Sequence, residues 1–159
     1  MNKERKIILC RGIQASGKTT FAKNWVLEDP ENRVRFNNGD VRNMLGKYWV
    51  TSREKLVSNI KDTFITQSMR FGYDIVIDNM NLNPKEVAYY ENYVDNYNTL
   101  STYKPFNDDL YHYTIEYEDF FIPLETCIFR DSFRDSPIGK EIITNTYNKY
   151  KDIINEHNK

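Results

Sequence analysis

Two cysteines, six glycines and five prolines leave this 159-residue chain short of the residues that build disulfide scaffolds and loop-rich folds. Cys10 and Cys127 cannot frame a small secreted domain and lack the paired spacing of a zinc site, so a reducing cytosol fits. Long hydrophobic runs are missing as well. Ile7-Ile8-Leu9-Cys10 falls far short of the roughly 20 residues of a membrane span, and no basic leader precedes an apolar stretch. A soluble, unexported cytoplasmic protein with no membrane partner is therefore expected. An excess of one charge is absent too. A net charge of −1 and a pI near 6.1 exclude a protein held to nucleic acid by global charge, so any nucleic acid must meet a local basic patch. The length predicts one domain over residues 1–159, with a real core and no room for a second catalytic module of ordinary size.

Short apolar runs are present and alternate with helical patterns. Lys6 to Arg11, "KIILCR", reads as a strand. The polar turn "GIQASGK" follows, then a helix carrying Phe21, Ala22, Trp25 and Val26 at helical spacing. "NRVRFNN" is β-branched and aromatic enough for a second strand, and "DVRNMLGKYW" starts a short helix with an acid at its positive end. Thr51 and Glu54 have capping-box spacing ahead of a helix with Leu56, Ile60, Phe64 and Met69 along one face. Ile75 to Ile77 repeats the buried-strand pattern and ends in Asp78. Asn83 and Pro84 then suit the N-cap and first turn of another helix. Residues 99 to 110 read as a polar connection, "YHYTIEYEDF" as a strand, and the C-terminal part as two helices broken near Ser136-Pro137. Alternating strands and helices predict an α/β fold with a mostly parallel central sheet flanked by helices.

The pattern that carries chemistry is Gly12 to Thr19, "GIQASGKT", which matches G-x-x-x-x-G-K-[ST] between a strand and a helix. Backbone N–H groups of such a loop wrap a polyphosphate. Lys18 reaches the β and γ phosphates, and the Thr19 hydroxyl serves Mg²⁺. Gly12, Ser16, Gly17, Lys18, Thr19 and Thr20 are therefore the candidate nucleotide-binding residues. Asp78, at the carboxyl end of an apolar strand, is the candidate second metal residue or the anchor of a neighbouring arginine. Arg130 and Arg134 in "FRDSFRD" are spaced to share a helix face and to form an arginine lid over transferring phosphates. A solvated face, with Asp131 and Asp135 as weak surface partners, is the plainer reading.

Taken together, "GIQASGKTTFAKNW", "NNGDVRNML", "IVIDNMNLNP" and "LETCIFRDSFRDSPIGKEI" resemble the kinase domain of bacteriophage-type polynucleotide 5′-kinases, a branch of the small phosphate-loop kinases. The resemblance implies a nucleic-acid repair reaction in which ATP, with Mg²⁺, phosphorylates a 5′-hydroxyl end of DNA or RNA. It implies Lys18 and Thr19 on ATP and metal, Arg134 and Arg130 in the lid, and Arg42 on the acceptor's 3′-phosphate. Asp78 matches an acid needed for activity, and the cytoplasm would be that of a host cell for a phage-encoded protein. Larger relatives carry a 3′-phosphatase domain with a D-x-D-G type motif, which this sequence lacks, so kinase activity alone is expected.

The family's general base lies three residues before the arginine, where this chain has Gly39. Asp40 matches a second acid, and with one deletion it takes the base position. A carboxylate beside the acceptor hydroxyl accepts its proton and contributes typically about 10²–10⁴-fold. Asp40 is therefore the candidate base, with satisfaction of N–H groups at its helix start as its other job. Two alternatives keep the phosphate loop: a kinase for a small-molecule hydroxyl, and an ATP-binding regulator whose catalysis has lapsed.

Overall fold

The computed structural model describes residues 2–99 and 110–158. The connection expected over 99 to 110 lies, apart from its ends, outside the described residues. Elements follow in the order β1 (Asn2–Arg11), α1 (Lys18–Glu28), β2 (Arg33–Phe36), α2 (Asn38–Met44), α3 (Glu54–Arg70), β3 (Asp74–Ile77), α4 (Pro84–Thr99), β4 (Leu110–Asp119), α5 (Leu124–Asp131) and α6 (Lys140–His157). The strands form one sheet in the order β2-β3-β1-β4, and each neighbouring pair is parallel.

Parallel strands with helices on both faces bury the side chains of their central residues, which is why Ile7 to Cys10 of β1 and Ile75 to Ile77 of β3 read as continuous apolar runs. Ile7, Leu9, Ile75 and Ile77 point to one face, against Val57, Ile65 and Met69 of α3 and Tyr90, Val94 and Tyr97 of α4. Ile8, Cys10 and Val76 point to the other, against Ala22 and Trp25 of α1. A third cluster, Ile13, Leu82, Cys127, Ile143 and Ile154, seats α5 and α6 beyond the strand ends. Strand β4 lies at an edge, carries exposed Glu116 and Glu118, and ties its end to β1 through Arg11 and Asp119 at 2.6 and 2.8 Å. Charge along an edge discourages further strand pairing.

Asn83 and Pro84 open α4 as expected, with the Asn83 side chain accepting from Lys85 N at 3.0 Å. Three local expectations are corrected. Thr51 and Glu54 form no capping box: Thr51–Arg53 is a 3₁₀ turn, and Glu54 spends its carboxylate on Arg42 at 2.8 and 2.9 Å. A charge-assisted bidentate pair outcompetes the reach back to a backbone N–H. Because α3 starts only after that turn, its buried stripe runs through Val57, Lys61, Ile65, Ser68 and Met69. Leu56 is left 47% exposed. Finally, Arg130 and Arg134 do not share a helix, because α5 ends at Asp131. The Asp131 carboxylate, 2% exposed, takes the N–H groups of Ile138 and Gly139 at 3.0 and 2.9 Å. It is a buried staple between α5 and α6, and Arg134 pairs with its Oδ1 only at 3.7 Å.

Candidate active site

The sheet order puts the carboxyl ends of β1 and β3 side by side, where ligands of open parallel sheets bind. The loop after β1 turns sharply, with Ala15 at φ 59° and Gly17 at φ 107°. Gly12 cannot carry a side chain, since a Cβ would stand 2.7 Å from Ser16 Oγ and 2.9 Å from the Phe120 carbonyl. Lys18 Nζ donates across the loop to the Ile13 carbonyl at 2.6 Å and to Ser16 Oγ at 3.3 Å. Burial pushes this ammonium down from its ordinary 10.5 to about 8, against the pull of Asp78. A buried cation short of counter-charge is what an incoming phosphate relieves. Thr19 and Thr20 are exposed at the start of α1. The loop forms one wall of a cleft of ≈ 860 Å³, whose other walls include Phe120, Arg130 and Arg134.

Asp78 ends β3 and is 1% exposed. Its Oδ2 takes Arg35 Nε at 3.0 Å and Nη2 at 2.7 Å, whereas its Oδ1 is buried without a partner. The third guanidinium nitrogen of Arg35, Nη1, donates to Asp40 Oδ2 at 2.6 Å. Burial opposes the Arg35 charge, but the hydrogen bonds of Asp78 and Asp40 outweigh it and raise its pKa. One arginine thus links the acid beside the phosphate loop to the acid in the "NNGDVR" segment.

Asp40 does not use its carboxylate to cap α2. That job belongs to Asn37, whose side chain accepts from Asp40 N at 3.0 Å. Asn37 also donates to the Asp78 carbonyl, and Asn38 N donates to Asn79 Oδ1 at 2.9 Å. These bonds hold the start of α2 against the end of β3 and leave the Asp40 side chain 61% exposed apart from its bond to Arg35. Gly39 is explained as well: a Cβ there would stand 2.9 Å from the capping Asn37 Oδ1 and 3.5 Å from the Tyr48 ring. A side chain at 39 would press on the capping oxygen and force Asn37 to shift.

The remaining residues of "DNMNLNP" are structural. Asn81, fully buried at φ 50°, donates to the carbonyls of Cys10 and Ile77 at 2.8 and 3.1 Å and ties the two strand ends together. Arg130 Nη1 reaches the Ser16 carbonyl at 3.3 Å. Arg134 lies 3.7 Å from Asp131 with its side chain 48% exposed. Arg42 is set apart from Asp78 and Asp40 by its pairing with Glu54, which raises its pKa against a smaller cost of burial. Cys10 is core, its thiol pushed up to about 12 by burial and then by Asp78. Among the described residues no helix is long and apolar enough to cross a membrane.

Sequence reasoning missed Arg35 and Asp131. Arg35 had a signal: "RVRF" alternates charged and apolar residues at the strand period, which sends Arg33 and Arg35 to one face and Val34 and Phe36 to the core. Asp131 had none, because its partners are backbone N–H groups.

The site tests well for Mg²⁺. The hydroxyl of Thr19 and the orphaned Oδ1 of Asp78 are hard oxygen donors of the kind this ion takes. Among the described residues no group of three or more acids, histidines or cysteines is placed to hold a metal by itself.

A family model described as "AAA domain" matches residues 7–152. A chain in the structure of the Pnkp1/Rnl/Hen1 RNA repair complex superposes with a TM-score of 0.74 at 18% identity, over 95% of this chain and 45% of that one. A chain of a second Pnkp1/Rnl/Hen1 complex superposes with a TM-score of 0.60 at 20% identity, over 79% and 38%. Midasin of Dictyostelium discoideum is 32% identical over 83 residues, which is 50% of this chain and 1% of midasin. The chain thus spans less than half the length of each of these proteins. At this identity the superpositions establish the fold alone, an α/β layer with a parallel sheet and a phosphate-type loop after its first strand.

Proposed function

The chain belongs to the AAA domain family, and from that premise we propose that it is an ATP- and Mg²⁺-dependent polynucleotide kinase acting on 5′-hydroxyl ends of DNA or RNA. The observation that carries the reading is the Asp40–Arg35–Asp78 chain, which ties an exposed carboxylate to the phosphate-loop end of the sheet.

In the proposed step the acceptor oxygen bonds to the γ-phosphorus, the bond from that phosphorus to the β–γ bridging oxygen breaks, and ADP leaves. The acceptor proton passes to the Asp40 carboxylate, which Arg35 holds in place through Nη1. Lys18 and the loop N–H groups of Gly12 to Thr20 hold the β and γ phosphates. Arg130 and Arg134, on the far wall of the cleft, take up charge as it moves toward the leaving group. Thr19 and Asp78 are the residues that would hold Mg²⁺, whose charge, when bound, offsets that of the phosphates. Arg42 is assigned to the acceptor strand.

The test is transfer of label from γ-labelled ATP to a 5′-hydroxyl oligonucleotide, with the parent and with Asp40→Asn. The variant should keep its fold and lose about 10²–10⁴-fold in kcat, the usual share of a positioned base. Absence of labelled DNA and RNA across divalent metals, with ADP released on a small alcohol, would instead mark a small-molecule kinase. ATP binding without any transfer, unchanged in Asp40→Asn, would mark a lapsed enzyme.

A further inference from the structure

The end of α2 and the segment after it carry a local excess of basic side chains. Residues 42–55 hold four basic side chains, Arg42, Lys47, Arg53 and Lys55, against the single acid Glu54, in a chain whose net charge is −1. Two large aromatic side chains stand among them, Tyr48 at 52% and Trp49 at 54% exposure. The Arg42 guanidinium lies over both rings, 5.6 Å from the Tyr48 centroid and 5.0 Å from that of Trp49. Glu54 grips the same guanidinium through Nε and Nη2. Arg53 donates to the Leu45 carbonyl at 2.7 Å, which pins the segment back onto α2. The rings are therefore held in place by cations without being buried.

This arrangement adjoins the candidate base. A Cβ built on Gly39 would stand 3.5 Å from the Tyr48 ring, and Gly39 immediately precedes Asp40. Exposed aromatics fixed by arginine, within a local basic patch, match what a flexible strand of bases and phosphates requires. Rings stack on base faces without regard to sequence, and the flanking cations follow the backbone. A small acceptor would need neither the rings nor the added charge.

We infer that Tyr48 and Trp49, braced by Arg42, form a stacking platform for an unpaired base at the 5′ end of a single-stranded nucleic acid. Lys47 and Arg53 meet its phosphodiesters. The inference deepens the reading of the chain as a polynucleotide kinase and rests on it for the identity of the acceptor. It assigns the platform the job of selecting a nucleic-acid end over a simple alcohol.

Tryptophan fluorescence tests the platform apart from catalysis, because the chain has two tryptophans and the other, Trp25, is 8% exposed in the core. A short 5′-hydroxyl oligothymidylate should quench the parent and leave Trp49→Phe, which keeps only Trp25, unquenched. The same backbone with abasic sites should quench neither. In transfer assays Trp49→Ala should raise KM for the oligonucleotide about ten-fold, as expected for losing one stacked base. Trp49→Phe should restore most of that loss. ATP binding and the circular dichroism of the variants serve as the check on folding. Equal quenching by oligonucleotide and abasic backbone, or an unchanged KM in Trp49→Ala, overturns the platform while leaving kinase activity standing. Base-dependent quenching at Trp49 without transfer of label overturns the kinase reading and keeps the platform.

Discussion

Arg35, just before α2, and Arg42, in its last turn, each engage a carboxylate with Nε and Nη2, yet they sit in different surroundings. Arg35 holds Asp78, 1% exposed, and reaches on to Asp40. Arg42 holds Glu54, 29% exposed, under two rings open to water. The contact chemistry is nearly the same and the energetics are not. A carboxylate taken out of water depends on its cation, whereas one left in water loses little when the cation goes. The first region ties an exposed carboxylate to a buried one at the sheet's end. The second is a surface whose parts remain available to a ligand.

Breaking the inner arginine should produce the larger effect. Arg35→Ala leaves the Asp78 carboxylate buried and uncompensated, and urea unfolding should show a loss of about 3–5 kcal/mol. Transfer activity should fall too, because Asp40 loses its tether. A loss comparable to that of an exposed pair would mean that Asp78 reaches water when Arg35 is gone.

Lys18 sharpens the contrast from the opposite side, as a buried cation that the ligand-free protein carries at a cost. Lys18→Met should remove ATP binding while stabilising the ligand-free protein by on the order of 2 kcal/mol near neutral pH. The sign follows from a folded-state pKa of about 8 against an ordinary 10.5. Below about 8 the ammonium is charged in both states and its full penalty is felt. Between 8 and 10.5 the unfolded chain holds more protons, so parental stability climbs and the advantage of the variant shrinks. Thermal melts of both proteins across that range check it, and a difference that grows with pH would overturn the assignment.

The smallest change is expected at the outer arginine. Arg42→Ala should cost about 1 kcal/mol in urea unfolding, well below Arg35→Ala, because Glu54, unlike Asp78, still reaches water. It should act mainly on KM for an oligonucleotide, since its ring-bracing role is on the acceptor side. If it destabilises as much as Arg35→Ala, the distinction between the regions fails.

Reading from residues to structure succeeded where the signal was local. The phosphate loop, the β3 strand ending at Asp78, and Asn83-Pro84 opening α4 are patterns whose chemistry is complete within a few positions. The capping box at Thr51 failed because Arg42 competes for Glu54 from another helix. The shared helix face of Arg130 and Arg134 failed because Asp131 spends its carboxylate on Ile138 and Gly139. In each case a strong, non-local electrostatic partner overrode a weak local preference.

Asp40 divides the two kinds of knowledge most clearly. The sequence alone determined that a nucleotide-type loop, an acid after the next inner strand and an acid-arginine segment occur in one α/β chain, because backbone pattern and strand period are local properties. It left Asp40 between a helix cap and a proton acceptor, and Gly39 without a reason. Only the tertiary structure shows that Asn37 takes the cap, that a Cβ at 39 would stand 2.9 Å from the capping Asn37 Oδ1, and that Arg35 arrives from β2 to join Asp40 to Asp78. Such a network is made of residues far apart in the chain, and its geometry exists only once β2, β3 and α2 pack against one another.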